Sequence, residues 1–125
     1  MKRILPILLS LLLLTGCGGN SADGYQQITQ EEAKEMMDTQ EVIILDVREQ
    51  DEYDSGHIPG AVLLPVGSID ETTAAEVIPD KDSTVLVYCR SGNRSKTASS
   101  ALAELGYTNI YEFGGISTWP YETES

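Results

Sequence analysis

The stretch TVLVYCRSGNRS, residues 84–95, decides the fold of this chain. Its opening residues, 84–88, form a short apolar run of the kind found in strands that are buried on both faces. An alanine-rich segment with helical periodicity, residues 96–105, follows and meets a stop signal at Gly106. A strand, a tight loop and a helix in this order place Cys89 at a strand end, facing backbone N–H groups and the positive end of a helix. That geometry stabilises a sulfur anion.

Strand-like and helix-like segments alternate along the rest of the chain. Three further apolar runs are typical of buried strands: residues 42–45, 61–64 and 109–113. Three helices are predicted between them: one capped by Thr29 with Glu32 in a capping box, one over residues 49–53 that stops near Gly56, and one opened by Ser68 with Glu71 and running to about Val77. With 125 residues and 41% hydrophobic content, the chain has room for one domain. The alternation predicts an α/β domain with a mainly parallel sheet.

The loop after Cys89 is suited to holding an anion. Gly92 and Asn93 tolerate unusual backbone dihedrals, so that successive N–H groups can turn inward as a nest. Ser95 is the expected N-cap of the following helix. The loop therefore predicts a binding site made of backbone groups.

Charge is distributed unevenly around this loop. The sequence carries a formal net charge of −12, yet residues 83–103 hold no Asp or Glu and include Arg90, Arg94 and Lys96. Cations and a helix N-terminus lower the pKa of a cysteine and favour the nucleophilic thiolate. The acidity of the whole chain argues against binding to nucleic acid or to anionic lipid headgroups.

The N-terminus has the order of a secretory signal. Lys2 and Arg3 precede an apolar stretch, residues 4–14, that is too short for a bilayer span of about 20 residues. The ending LTGC, residues 14–17, resembles the lipobox of bacterial lipoproteins, in which the cysteine is acylated and becomes the first residue of the mature chain. We expect residues 1–16 to be a signal peptide and residues 17–24 a lipid-attached flexible tether. An ordinary signal peptide with an incidental Cys17 is the alternative.

This interpretation gives the protein a location and a redox setting. A lipid on Cys17 would anchor it to a bacterial membrane on the extracytoplasmic side, which we expect to be its only attachment to the membrane. Cys89 would then be the one thiol of the mature chain, so that no internal disulfide is expected.

Several motifs occur in an order that resembles a single-domain rhodanese-like sulfurtransferase. They are DVRE at residues 46–49, EY at 52–53, GHIPGA at 56–61, CRSGNRS at 89–95, GGI at 114–116 and Trp119. The resemblance covers residues 25–121 and leaves 122–125 as a C-terminal tail. It implies a three-layer α/β/α domain around a central, mainly parallel sheet of about five strands.

The resemblance also implies a reaction. The Cys89 thiolate would attack the sulfane sulfur of a donor such as thiosulfate, release sulfite and hold a persulfide, which a thiol or a protein sulfur acceptor then takes. The implied substrate-binding residues are Arg90, Ser91, Gly92, Asn93, Arg94 and Ser95, whose N–H groups would stabilise the persulfide anion. Arg90, Arg94 and Lys96 would hold donor oxyanions, and the resemblance gives Arg94 bracing of the loop as its other expected role. No metal or organic cofactor is expected, and the protein is expected to be a monomer.

Two alternatives remain at this point. The same loop would serve a noncatalytic binding or sulfur-relay module. Phosphatase or arsenate-reductase chemistry is disfavoured because cysteine-dependent phosphatases place one residue more between the cysteine and the arginine, and because Tyr88 stands where they usually carry a histidine.

The remaining polar candidates are expected to be structural. Asp46 and Arg48 follow a predicted strand and are suited to pairing with each other or with loop groups. His57, the one histidine, lies in a turn, and a preformed thiolate needs no general base. Trp119 is expected to pack in the core.

Overall fold

The computed structural model describes residues 24–125. The predicted signal peptide and Cys17 lie outside the described residues. Within the described part, no helix combines the length and the apolar character needed to cross a membrane.

Five strands and four α-helices alternate along the described chain. The strands are β1 (Gln26–Gln27), β2 (Ile43–Asp46), β3 (Val62–Leu63), β4 (Thr84–Cys89) and β5 (Asn109–Gly115). The α-helices are α1 (Gln30–Thr39), α2 (Gln50–Ser55), α3 (Glu71–Val77) and α4 (Asn93–Glu104). Short 3-10 turns cover Val66–Ser68 and Ile116–Thr118.

All five strands run parallel in one sheet, in the order β1-β5-β4-β2-β3. The predicted α/β class with a parallel sheet of about five strands is therefore confirmed. Strand β4 lies in the centre, and its carboxyl end carries Cys89. Ligands of open α/β sheets bind at this edge, outside the carboxyl ends of the strands.

Strand β4 contributes to a hydrophobic core on each face of the sheet, because alternate side chains of a strand point in opposite directions. Val85, Val87 and Cys89 join one core with Ala98 and Leu102 of α4. On the other face, Leu86 and Tyr88 pack with residues of α1 and the C-terminal region, Ala33, Phe113 and Trp119. The result is the expected layering of helices on both faces of the sheet.

The helix starts are partly as predicted. Thr29 caps α1 in the predicted capping box with Glu32. The prediction of Ser68 as the cap of α3 is wrong, because Asp70 accepts the N–H of Thr73 while Thr73 bonds back to the Asp70 backbone. A shorter side chain at position 73 completes the box that Glu71 was expected to form.

Two further predictions need correction. The run 61–64 is not a buried strand: β3 has two residues at the sheet edge, where Val62 is 39% exposed. Ser95 does not cap α4, which begins at Asn93 with Gly92 as N-cap. Gly92 has φ +107°, a conformation that favours glycine, and the helix consequently starts within the loop motif.

The end of β5 closes against the Cys89 loop. The register slips between Val87 and Cys89, so that β5 contains one extra residue and Gly115 lies beside Cys89. A Cβ on Gly115 would overlap the Arg90 carbonyl group and the Ser91 nitrogen. The Ser117 N–H donates to the Arg90 carbonyl oxygen at 3.0 Å. The loop after β4 is thus seated directly on the β5 backbone.

We predict that Gly115→Ala destabilises the protein and displaces the loop. Overlap with backbone atoms is relieved only by moving the chain, which typically costs about 1–3 kcal/mol. Urea unfolding followed by circular dichroism measures the loss. Gly67→Ala is the matched control, since its Cβ would meet no atom within 4 Å. Equal stability of the two variants would contradict the predicted role of this contact.

Candidate active site

The Cys89 side chain is almost fully buried, at 1% exposure, in the loop that follows β4. The Gly92 N–H donates to Cys89 Sγ at 3.0 Å, and Ser95 Oγ lies 3.4 Å from the same sulfur. The left-handed Gly92 turns the chain so that the amides of the loop point inward. The loop holds the sulfur from its own backbone.

Opposing effects set the pKa of the Cys89 thiol. Burial is the largest and raises the pKa, because a thiolate loses its solvation inside the protein. Hydrogen bonding with the Ser95 hydroxyl and with the backbone N–H groups of Ser95, Gly92 and Ser91 acts in the other direction. Together they outweigh burial and hold the pKa of Cys89 below its usual value. The site favours a thiolate that is shielded from water.

Arg94 is tied to a second element of the fold. Its guanidinium donates to both carboxylate oxygens of Glu52, at 2.8 and 3.0 Å, and so links the start of α4 to α2. This hydrogen-bonded pair is the main reason that the pKa of Glu52 is lowered to about 2. Of the two roles expected for Arg94, loop bracing and oxyanion binding, the structure displays the bracing contact.

Other polar residues of the motif lie at the rim. Arg90, Ser91, Asn93 and Lys96 are exposed. Arg90 lines a cleft with Arg48, Glu52 and Ser117, while Lys96 lines a second cleft beside Ser91 and Gly92. Among the described residues, the hydrogen-bond partners of the sulfur are backbone groups of the loop and Ser95, and not these exposed cations.

Asp46 and Arg48 form a buried polar network on the other face of the sheet. Arg48 Nη2 donates to Asp46 at 2.7 Å and to the Gly56 carbonyl at 2.7 Å. The Tyr88 hydroxyl donates to Asp46 at 2.7 Å and accepts the Ile58 N–H at 3.1 Å. These contacts join β2, β4 and the turn after α2.

His57 and Trp119 also make structural contacts. The His57 ring stacks on Tyr53 with centroids 3.8 Å apart, and its Nδ1 lies 2.9 Å from the Tyr53 carbonyl oxygen. The backbones of His57 and Glu124 exchange hydrogen bonds at 2.8 Å, which ties the last residues to the domain. Trp119 is buried beside Phe113.

Sequence reasoning missed Glu112. This carboxylate is 2% exposed in β5 and accepts hydrogen bonds from Ser95 Oγ at 2.5 Å and from the Gly114 N–H at 2.9 Å. The available signal was an acidic residue within a run that was expected to form a buried strand. Glu52 was missed as the partner of Arg94, since nothing in the sequence pairs two positions that are 42 residues apart.

In the described part of the chain, no three His, Cys, Asp or Glu side chains cluster as metal ligands do. The geometry supports the chemistry of a buried sulfur anion, held at the carboxyl edge of a parallel sheet. This combination defines a class of thiol-dependent α/β enzymes that hold their reactive sulfur in a backbone loop.

Comparison with known proteins identifies the family. The model of the rhodanese-like domain matches residues 29–121, and the chain therefore belongs to the rhodanese family. It is 36% identical over 96 residues to "Thiosulfate sulfurtransferase GlpE" of Coxiella burnetii, an alignment covering 76% of this chain and 87% of that protein. It is 40% identical over 72 residues to "Thiosulfate sulfurtransferase PspE" of Escherichia coli, covering 58% and 68% respectively.

Solved structures agree with this assignment. The structure described as "rhodanese with anions from E. coli" aligns with a TM-score of 0.63 at 32% identity, over 68% of this chain and 99% of that one. The Alr3790 protein from Anabaena aligns with a TM-score of 0.71 at 26% identity, over 78% and 91%. The expected family and the expected rhodanese-type enzyme are confirmed.

The Arg94–Glu52 pair predicts a specific acid sensitivity. Because the folded-state pKa of Glu52 lies below its ordinary value of 4.5, the pair contributes fully above that pH, and its contribution is lost as the pH falls toward 2. Glu52→Gln is therefore expected to lower stability at neutral pH and to weaken the loss of stability between about pH 5 and pH 2. Urea unfolding at a series of pH values measures both effects.

The control is Glu104→Gln, which changes the same charge at an exposed position of α4. This variant should keep the acid dependence of the unaltered protein. If Glu52→Gln and Glu104→Gln give the same profile, the Arg94 pair does not hold the Glu52 carboxylate as described.

Proposed function

We propose that this protein transfers sulfane sulfur from a small anionic donor such as thiosulfate to a thiophilic acceptor, through a persulfide on Cys89. The observation that carries the proposal is the buried Cys89 sulfur, bonded to the Gly92 N–H at 3.0 Å and with its pKa lowered by hydrogen bonds of its own loop. Membership of the rhodanese family and the names of the relatives support the same reaction.

The loading step uses the nucleophilicity of the thiolate. Cys89 Sγ attacks the outer sulfur of thiosulfate, a sulfur–sulfur bond forms to Cys89, and the bond to the sulfonate sulfur breaks with its electron pair. Sulfite leaves, and no external oxidant is needed. The exposed cations Arg90 and Lys96 are positioned to attract the anionic donor to the rim.

In the unloading step the Cys89 sulfur is the leaving group, whereas in the loading step it is the nucleophile. A thiol or cyanide acceptor attacks the outer sulfur, and Cys89 leaves as a thiolate. The hydrogen bonds that lower the thiol pKa make Cys89 a better leaving group, since low-pKa thiols leave faster. One set of backbone donors therefore serves both half-reactions.

Mass spectrometry of the intact protein tests the persulfide. After incubation with thiosulfate and removal of excess donor, we expect an adduct of one sulfur, about 32 Da. Cys89→Ser should lose the adduct, whereas Cys17→Ser, which alters the other cysteine of the sequence, should keep it. A reduced, folded protein that gains no sulfur would refute the proposal.

A noncatalytic relay module differs from an enzyme in turnover. With thiosulfate and cyanide in excess, an enzyme releases many thiocyanate molecules per protein, while a relay that lacks its partner stops after one. Phosphatase activity would instead appear as hydrolysis of p-nitrophenyl phosphate that is lost in Cys89→Ser.

We also propose that the protein is a lipoprotein, anchored through Cys17 on the extracytoplasmic side of a bacterial membrane. Support comes from the sequence alone: Lys2 and Arg3, the apolar residues 4–14 and the lipobox-like LTGC ending. The acidity of the chain argues that such an anchor, and not surface charge, would hold it to anionic lipid.

Metabolic labelling tests the anchor. In bacteria that express the full chain and are fed an alkyne-tagged fatty acid, we expect the label in a membrane-bound protein. Cys17→Ser should abolish the label and leave the leader uncleaved, whereas Cys89→Ser should be labelled and cleaved like the unaltered chain. Equal labelling of the two variants would contradict the assignment.

A further inference from the structure

The Ser95 hydroxyl lies between two groups that can each be anionic. Ser95 Oγ is 3.4 Å from Cys89 Sγ and 2.5 Å from Glu112 Oε2, and all three residues are buried. The Gly114 carbonyl oxygen is a third, longer contact at 3.4 Å. A serine hydroxyl carries one proton and can donate it to one strong acceptor at a time.

We infer that Glu112 is a positioning residue of this site, whose carboxylate competes with the Cys89 sulfur anion for the one hydroxyl proton of Ser95. In the observed geometry the short bond goes to Glu112, which also accepts the Gly114 N–H and the amide of Gln27 at 3.2 Å. When Cys89 is a neutral thiol, it can donate to Ser95, and the chain of hydrogen bonds runs from sulfur to carboxylate. When Cys89 is a thiolate, the Ser95 hydroxyl can donate its proton either to the sulfur or to the Glu112 carboxylate. The other anion then has one hydrogen-bond donor fewer.

Charged groups around the pair do not remove this competition. Arg94 of α4 interacts electrostatically with Cys89, but its guanidinium is bound to Glu52 of α2. Lys96 of α4 lines the cleft that includes Glu112 but is exposed, and Arg90 of the loop is exposed as well. Asp46, the last residue of β2, forms a salt bridge with Arg48. None of the ion pairs in the described residues includes Glu112, so no cation neutralises its carboxylate.

The competition has a consequence for sulfur transfer, which rests on the proposed function. Persulfide formation places the negative charge on the outer sulfur, and the inner Cys89 sulfur then demands the Ser95 proton less. Glu112 therefore favours the loaded protein over the free thiolate. It shifts the equilibrium of sulfur transfer toward the persulfide.

The test is the pH titration of the Cys89 thiolate by its ultraviolet absorbance, in a Cys17→Ser background so that one thiol is observed. Glu112→Gln keeps the shape of the side chain and removes its charge. We expect it to lower the pKa of Cys89 by about one unit, roughly a tenfold increase in thiol ionisation. An unchanged or higher pKa would overturn the inference. Glu104→Gln controls for the loss of a distant charge.

Ser95→Ala separates the shared proton from direct repulsion between charges. In that background we expect the shift caused by Glu112→Gln to fall to less than about a third of its size. A shift of full size would show that Glu112 acts on the sulfur without Ser95, and the inference would be wrong. The titration requires no sulfur donor, so its result is distinguishable from a failure of sulfur transfer.

A second measurement uses the protein with Glu112 and Ser95 intact and does not depend on the folding of their variants. The carboxyl carbon of Glu112 should change its NMR chemical shift across the pH range in which Cys89 ionises. The change should disappear in Cys89→Ala, which removes the competing anion. Persistence of the change in Cys89→Ala, or its absence from the unsubstituted protein, would equally refute the coupling.

Discussion

The close contact between Gly115 and the Arg90 carbonyl is the constraint on which the rest of the site depends. A thiolate at 1% exposure loses nearly all of its hydration, and only hydrogen-bond donors fixed within the protein offset that loss. Those donors are amides of the loop after β4, and they converge on the sulfur because the loop lies directly on the β5 backbone. A side chain at position 115 would occupy the space of the Arg90 carbonyl. The extra residue in β5 brings Gly115 to this point.

Charged side chains and backbone hydrogen bonds have different roles at this site. Arg94 was expected to bind donor oxyanions or to brace the loop. Its Nη1 and Nη2 groups donate to Glu52 and connect α4 to α2. Arg90 and Lys96 stay exposed at the rim of a chain whose formal net charge is −12. The exposed cations at the rim can attract an anion over a distance, whereas backbone N–H groups stabilise the sulfur. The separation suits a buried thiolate, since an adjacent buried arginine would itself pay a large desolvation cost.

The sequence predicts what local patterns control. The apolar run of β4, the capping box at Thr29 and the left-handed Gly92 are each indicated by residues that lie a few positions apart, and the structure contains all three. Strand β1 has two exposed residues and depends on pairing with β5, so that no periodicity reveals it. Ser95 was wrongly predicted to cap α4 because serine is a favoured N-cap residue. Gly92 is the N-cap instead, and the Ser95 hydroxyl contacts Cys89 and Glu112. Its bond to Glu112 depends on the shifted register of β5, which sequence patterns do not show.

Contacts on both faces of β4 determine where the sulfur lies. On one face Cys89 meets the loop and Ser95; on the other, the preceding residue Tyr88 bonds to Asp46 and to the Ile58 N–H. Burial raises the pKa of Tyr88, which keeps its hydroxyl protonated as a donor. The Asp46 carboxylate, the Tyr88 hydroxyl and the Ile58 N–H are all hydrogen-bonded, and a satisfied buried network fixes one arrangement of the strands that carry it. The end of β4 is therefore held by the Tyr88 side chain, which precedes the cysteine, and by the Arg90 backbone, which follows it. The position of the sulfur depends on both contacts.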